Sequence, residues 1–222
     1  MNRGDYMLDS EKAVWFLVFS CIGVTTNQDE QTVLSKAVFR AYRDASSHVL
    51  SVKDEYKESL KQKGKDLIVG FLNELNNGEI KNYNDAHKKL CNDIFNNYSN
   101  EDIYKADKNG KFRKMSIGIA QKWINMSVKY VYVLKSTCFE ETDFFENHFD
   151  EYSDNFHIPL DSIMIEKIKT DLGIDSEKYD ITTWSSIADY NKYIEYQTAI
   201  KELLKNELQA PIDWENNVWL EQ

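Results

Sequence analysis

Residues 115–134 read MSIGIAQKWINMSVKYVYVL, and this stretch decides the fold. Ile119, Trp123, Met126 and Tyr130 recur at steps of four, three and four, which puts them on one face of a helix. The same periodicity extends on both sides. Ser10 is placed to cap a helix reaching about Val24, apolar almost all round and therefore expected at the centre of the fold. Asn27 or Thr26 opens a second helix through Asp44, with Val33, Leu34, Ala37, Val38 and Ala41 at helical spacing. Lys53–Asn76 and Asp85–Tyr98 read as two more, the first punctuated by Gly64 and closed by Asn76-Asn77-Gly78. Residues 100–114 are polar and loop-like. Beyond the central stretch, a helix over about 160–172 follows Pro159 and ends at Gly173. Another runs over about 187–208, and a last short one starts at Pro211.

The expectation is an all-α fold, one helical domain over residues 1–222, undivided or in two closely packed lobes. Two prolines and eight glycines in 222 residues favour helix over sheet, and strand-like alternation is hard to find. A hydrophobic content of 42% with 29% charged residues is that of a soluble globular protein with a real core. Cys21, Cys91 and Cys138 are far apart and form no CxxC. The reading is free thiols in the cytoplasm, with no zinc or iron–sulfur ligand set and no cofactor. The apolar run 13–24 is too short to cross a bilayer, so no membrane is expected as a partner.

Charge is distributed unevenly. The chain carries −10 overall, a charge unhelpful for binding DNA. Yet residues 103–136 hold eight basic residues and one acid, whereas 139–157 hold seven acids and no Lys or Arg. A basic stretch in an acidic protein is the first place to look for an anionic partner, and the 105–135 stretch is read as a DNA contact. The acidic stretch reads as a solvated surface, a cover for the basic patch or a dock for a basic partner.

Inside the basic stretch, Gly118-Ile-Ala-Gln-Lys122-Trp-Ile-Asn125 resembles the second half of a helix–hairpin–helix, written G-V-G-x-K-x-A-N in the helix–hairpin–helix DNA glycosylase superfamily. Downstream, Ile158-Pro-Leu-Asp161-Ser-Ile163 resembles that family's I-P-V-D-T-H-V segment. The resemblance implies Lys122 as the nucleophile and Asp161 as the essential carboxylate. It also implies a phosphate held by the backbone at Gly118, Ala120 and Gln121, with Lys111, Arg113 and Lys114 along the strand. The implied activity is excision of a damaged or modified base, extruded into an aromatic pocket where Trp123 or Tyr130 would serve. The chain departs from the family at Ala120, where the second glycine stands, and at Ile163, where the histidine stands. Lys122 and Asp161 are also 39 residues apart, wider than the family's spacing.

Each of these residues has a plainer reading. Lys122 and Lys129, seven apart, fit a solvated helix face opposite Ile119 and Trp123. Asp161 fits an ordinary N-terminal cap. His157 and His148 lie among acids but at no metal-binding spacing, and Tyr190, Tyr193 and Tyr196 make a helical stripe expected in the core. The alternative function is a non-catalytic helical protein that binds a protein partner through its polarised surface.

Overall fold

The computed structural model describes residues 10–25, 27–107, 109–138, 144–145 and 147–220. Among them the chain is all-α. Eight α-helices follow one another: α1 (Ser10–Ile22), α2 (Glu30–Ser46), α3 (Asp54–Asn76), α4 (Tyr83–Asn97), α5 (Ile117–Cys138), α6 (Ser162–Leu172), α7 (Tyr190–Lys205) and α8 (Pro211–Leu220). Short 3-10 turns at Glu101–Ile103, Phe149–Asn155, Ser176–Tyr179 and Trp184–Ser186 join some of them.

The caps explain the boundaries. Asp29, Asn82, Asp161 and Asp189 each accept a backbone N–H of the turn they open, at Thr32, Asp85, Met164 and Asn191 respectively. Helix α4 therefore starts two residues before Asp85, and α7 starts at Tyr190 rather than Ile187. Gly173 ends α6 in the left-handed region at φ 69°, where a residue without Cβ is strain-free.

The centre is α5. Every residue from Ile117 to Asn125 is buried, and the face carrying Ile119 and Trp123 packs along α2. The indole of Trp123 is fully buried, donates its N–H to the Val38 carbonyl at 2.9 Å and meets Tyr42 edge-on at 4.8 Å. Its outer edge lies on Gly64 of α3, where an added Cβ would come within 2.3 Å of the ring. Gly64 is thus a point of close approach between α3 and α5. Trp123, expected as a lining of a base pocket, is instead the middle of the core.

Helix α1 corrects a second expectation. It is not central: Phe16, Leu17 and Phe19 are 65%, 60% and 55% exposed. An all-round apolar helix is normally buried, but here the interior is filled by α5 and the packing of α1 is mainly against α2. Gly118 lies in the first turn of α5, and the bridges Val52–Tyr104 and Ala106–Phe112 tie down the segment ahead of it. Among the described residues, 109–116 contain no helix. Among the described residues no helix is long and apolar enough to cross a membrane.

Candidate functional site

Lys122 and Asp161 meet. One helical turn into α5, Lys122 points away from α2 toward the start of α6, and its Nζ lies 3.0 Å from Asp161 Oδ2. The other oxygen, Oδ1, accepts the Met164 N–H at 2.8 Å. Asp161 therefore caps α6, as its plainer reading has it, and holds a lysine at once. The Lys122 side chain is only 9% exposed and Asp161 20%. The Trp184 ring covers the ammonium, which sits 4.5 Å from the ring centroid.

The solvated face expected for Lys122 and Lys129 is not found. Lys129, two turns on, is 13% exposed and lies 2.6 Å from Glu215 Oε2 of α8. That contact is a close ion pair whose angle falls outside hydrogen-bond geometry. The second oxygen of Glu215 accepts the Trp219 indole N–H at 2.7 Å, and Trp219 lies beside Lys129 with the ammonium 5.7 Å from its centroid. Each lysine on this face of α5 thus has one carboxylate and one tryptophan. Burial raises the Glu215 carboxyl above its usual range, against the lowering influence of Lys129, and the Asp161 charge adds to the rise. Removing one partner of such a pair leaves an uncompensated buried charge. Lys129→Met is expected to cost about 3 kcal/mol, and Lys129→Met with Glu215→Leu to recover most of it. Urea denaturation of the two variants checks this, and equal loss in both would refute it.

Behind the Lys122–Asp161 pair lies a buried polar network that holds the segment carrying Asp161. Gln197 clamps Ile158 on both sides, accepting its N–H at 3.1 Å and donating to its carbonyl at 2.7 Å. Asn125, one turn beyond Lys122, donates to Tyr193 Oη at 2.8 Å and to Gln121 Oε1 at 2.9 Å. Its own oxygen contacts His87 Nε2 at 2.9 Å. Tyr193 reaches His157 Nδ1 at 2.9 Å, and His157 Nε2 reaches Asn84 Oδ1, also at 2.9 Å. The pattern closes when both imidazoles are neutral with the proton on Nε2: His87 donates to Asn125, Tyr193 donates to His157, and His157 donates to Asn84. Asn125, which matches the family motif, fixes α5 against this network.

The residues expected to hold a phosphate are placed differently. The Gly118 N–H is donated to the Ile187 carbonyl at 3.0 Å, and a Cβ on Gly118 would come within 1.8 Å of the Trp184 carbonyl oxygen. Ser116 Oγ donates to the Ser185 carbonyl at 2.7 Å. The Ala120 N–H bonds within the helix start, to Ser116, and Gln121 is fully buried, donating to the Gly118 carbonyl at 2.8 Å. The turn 183–187 therefore seals the start of α5. Of the basic residues, Arg113 pairs with Asp107 at 3.1 Å, Lys114 pairs with Glu101, and Lys105 pairs with Asp54 at 3.0 Å. Lys111 is exposed. Much of the +7 of the stretch is answered by acids from nearby in the fold.

His148 is exposed and contacts Glu151 at 3.0 Å. Among the described residues no group of three His, Cys, Asp or Glu side chains could hold a metal ion. The sequence reading missed Trp184 and Glu215, which no motif marks, and missed His87, whose only signal was a histidine on an apolar helix face.

The chain matches no family model, no curated protein and no solved structure. The functional reading therefore rests on the Lys122–Asp161 site itself.

Proposed function

We propose that the chain is a DNA N-glycosylase with lyase activity, acting on a damaged or modified base in the cytoplasm through Lys122 and Asp161. The observation that supports this reading is the pairing of a nearly buried lysine with a helix-capping carboxylate at 3.0 Å, across 39 residues of chain. Together with the motif resemblance at both residues, this pairing sets a carboxylate beside the amine it would deprotonate. Asp161 Oδ2 takes a proton from the Lys122 ammonium, freeing the nitrogen lone pair. The nitrogen bonds to the sugar C1′, and the C1′–base bond breaks with its electron pair leaving on the base, which takes a proton released by the newly alkylated nitrogen. The sugar ring then opens at its C1′–oxygen bond, with the proton held by Asp161 passing to that oxygen, and an imine joins Lys122 to C1′. The Asp161 carboxylate also offsets positive charge developing on the sugar.

The test is borohydride trapping on duplex and single-stranded DNAs carrying modified bases or abasic sites. A covalent adduct is expected with the native protein and none with Lys122→Ala. Asp161→Asn is expected to lower the trapping rate by roughly 10²–10⁴-fold, the usual range for a lost acid–base group. Absence of any adduct across the panel would overturn the imine mechanism.

A second reading draws on a different observation, the exposed Phe16, Leu17 and Phe19 of α1. Exposed apolar patches mark association surfaces, and a non-catalytic protein-binding factor would use this one. Absence of both adduct and DNA binding would favour it.

A further inference from the structure

A cavity of about 520 Å³ opens between the end of α2, the start of α3 and the extended segment before α5. Four cations line it, Arg43, Lys57, Lys61 and Lys105, against two acids, Asp54 and Glu58. An excess of two positive charges in one cavity stands out in a chain of −10. The larger cavity beside α7, about 590 Å³, has no such excess, since Lys201 and Lys205 are matched there by Asp154 and Glu202.

Both acids are already engaged by the other two cations. Lys105 lies 3.0 Å from Asp54 and Lys61 2.6 Å from Glu58. Among the described residues Arg43 and Lys57 have no carboxylate within ion-pair distance. They come from different helices, and the cavity brings them together.

The wall is built rather than incidental. Ser51 donates its N–H to the Arg113 carbonyl at 2.9 Å, and Lys105 donates its own to the Ser51 carbonyl at 3.1 Å. The Arg113 guanidinium donates to the carbonyl of His48, a residue held in the left-handed region at φ 64°. The buried side chains of Tyr42 and Val52 belong to the apolar part of the lining. An arginine fork, a lysine point charge and an apolar wall together suit a phosphate attached to an organic group. The volume is that of a small-molecule site.

We propose that this cavity binds the phosphate of a nucleotide, free or within a strand, through Arg43 and Lys57. The proposal is independent of the Lys122 reading, because these cations lie on the side of α2 and α3 and share no contact with Asp161. Neither belongs to the 105–114 run.

Thymidine, thymidine 5′-monophosphate and a thymidine octanucleotide, each titrated into the full chain by calorimetry at low and moderate salt, test it. Saturable binding is expected for the phosphate-bearing probes and not for thymidine, weakening with salt. Arg43→Gln with Lys57→Gln is expected to weaken it about tenfold or more, whereas Lys205→Gln, in the charge-balanced cavity beside α7, leaves it unchanged. Thermal melting of the double variant confirms that it folds. Tighter binding of the octanucleotide would assign the site to a strand, and tighter binding of the monophosphate to a free nucleotide. Binding that ignores the double variant, that falls instead with Lys111→Gln and Lys114→Gln, or that never saturates would overturn the proposal.

Discussion

Acidification from pH 7.5 to pH 5 is expected to remove about 2 kcal/mol of folding stability through His87 alone, with a further loss through His157. Burial lowers the His87 imidazole from 6.5 to about 4, only partly opposed by Asn125. His157 is lowered well below 6.5 by burial first, then by the charges of His87 and Lys201. The two rings lie 4.6 Å apart, so a proton on one further disfavours a proton on the other. Their surroundings are neutral phenols, a thiol and amides: Tyr83, Tyr190, Tyr193, Cys91, Asn84 and Asn125. None of these receives an imidazolium as a carboxylate would. The folded state stays neutral while the unfolded chain takes up protons near pH 6.5. Stability is therefore full above that value and is lost as pH falls toward the folded value near 4. Glu215 has the opposite sign: its raised carboxyl makes the folded state bind a proton more readily, which adds stability on acidification. Its proton uptake in the folded state begins above its ordinary value of 4.5, so Glu215 partly offsets the histidine loss at the acid end of the range. Against a typical total of about 5–15 kcal/mol the loss is large. Urea midpoints at pH 7.5, 6 and 5 measure it. His87→Gln should be less stable at neutral pH but should show a shallower pH slope. An unchanged slope would show that the network admits the proton.

The same network shows what sequence periodicity can and cannot reveal. Helices α2 to α8 follow from apolar spacing, capping residues and Gly173, because those signals are local. The exposure of α1 is not local. Its composition says only that it avoids water, and whether a partner helix is available depends on how α5 fills the interior. Motif resemblance singles out Lys122 and Asp161, but their pairing is not legible in the sequence, since 39 residues including an acidic stretch separate them. Periodicity placed Lys122 and Lys129 on a solvated face. The fold reversed this because Asp161 and Glu215 arrive from α6 and α8 to pair with them. Trp184 and Trp219 cover the two ammoniums from elements with no sequence link to α5. Burial of a charge is decided by partners, and partners from distant segments leave no mark in the sequence near the charge.

Trp123→Ala is expected to destabilise the protein by about 3–5 kcal/mol, the range for losing a fully buried large aromatic. The ring is 0% exposed and is enclosed by Tyr42, Val38 and Gly64 from α2 and α3, so its removal opens a void where three helices meet. The loss should not follow from size alone. Gly64 has no Cβ because the indole occupies that space, at 2.3 Å from where the carbon would stand. Gly64→Ala in the native background must therefore push the ring or part α3 from α5, and it should destabilise even though alanine favours a helix interior by about 1 kcal/mol over glycine. In the Trp123→Ala background that space is vacant, and Gly64→Ala should turn neutral or stabilising. The coupling energy between the two positions is then expected at about 1–3 kcal/mol, measured by a double-mutant cycle in urea. Additive effects would mean that α3 already has room beside the ring. A second consequence follows from adjacency, because Lys122 precedes Trp123 and its place beside Asp161 depends on how α5 is seated on α2. On the proposed imine mechanism Trp123→Phe, which keeps most of the ring volume, should retain borohydride trapping better than Trp123→Ala at matched folded fractions. Equal trapping by the two variants at the native level would show that the Lys122–Asp161 pair is held by Asn125 and the Gln197 clamp alone.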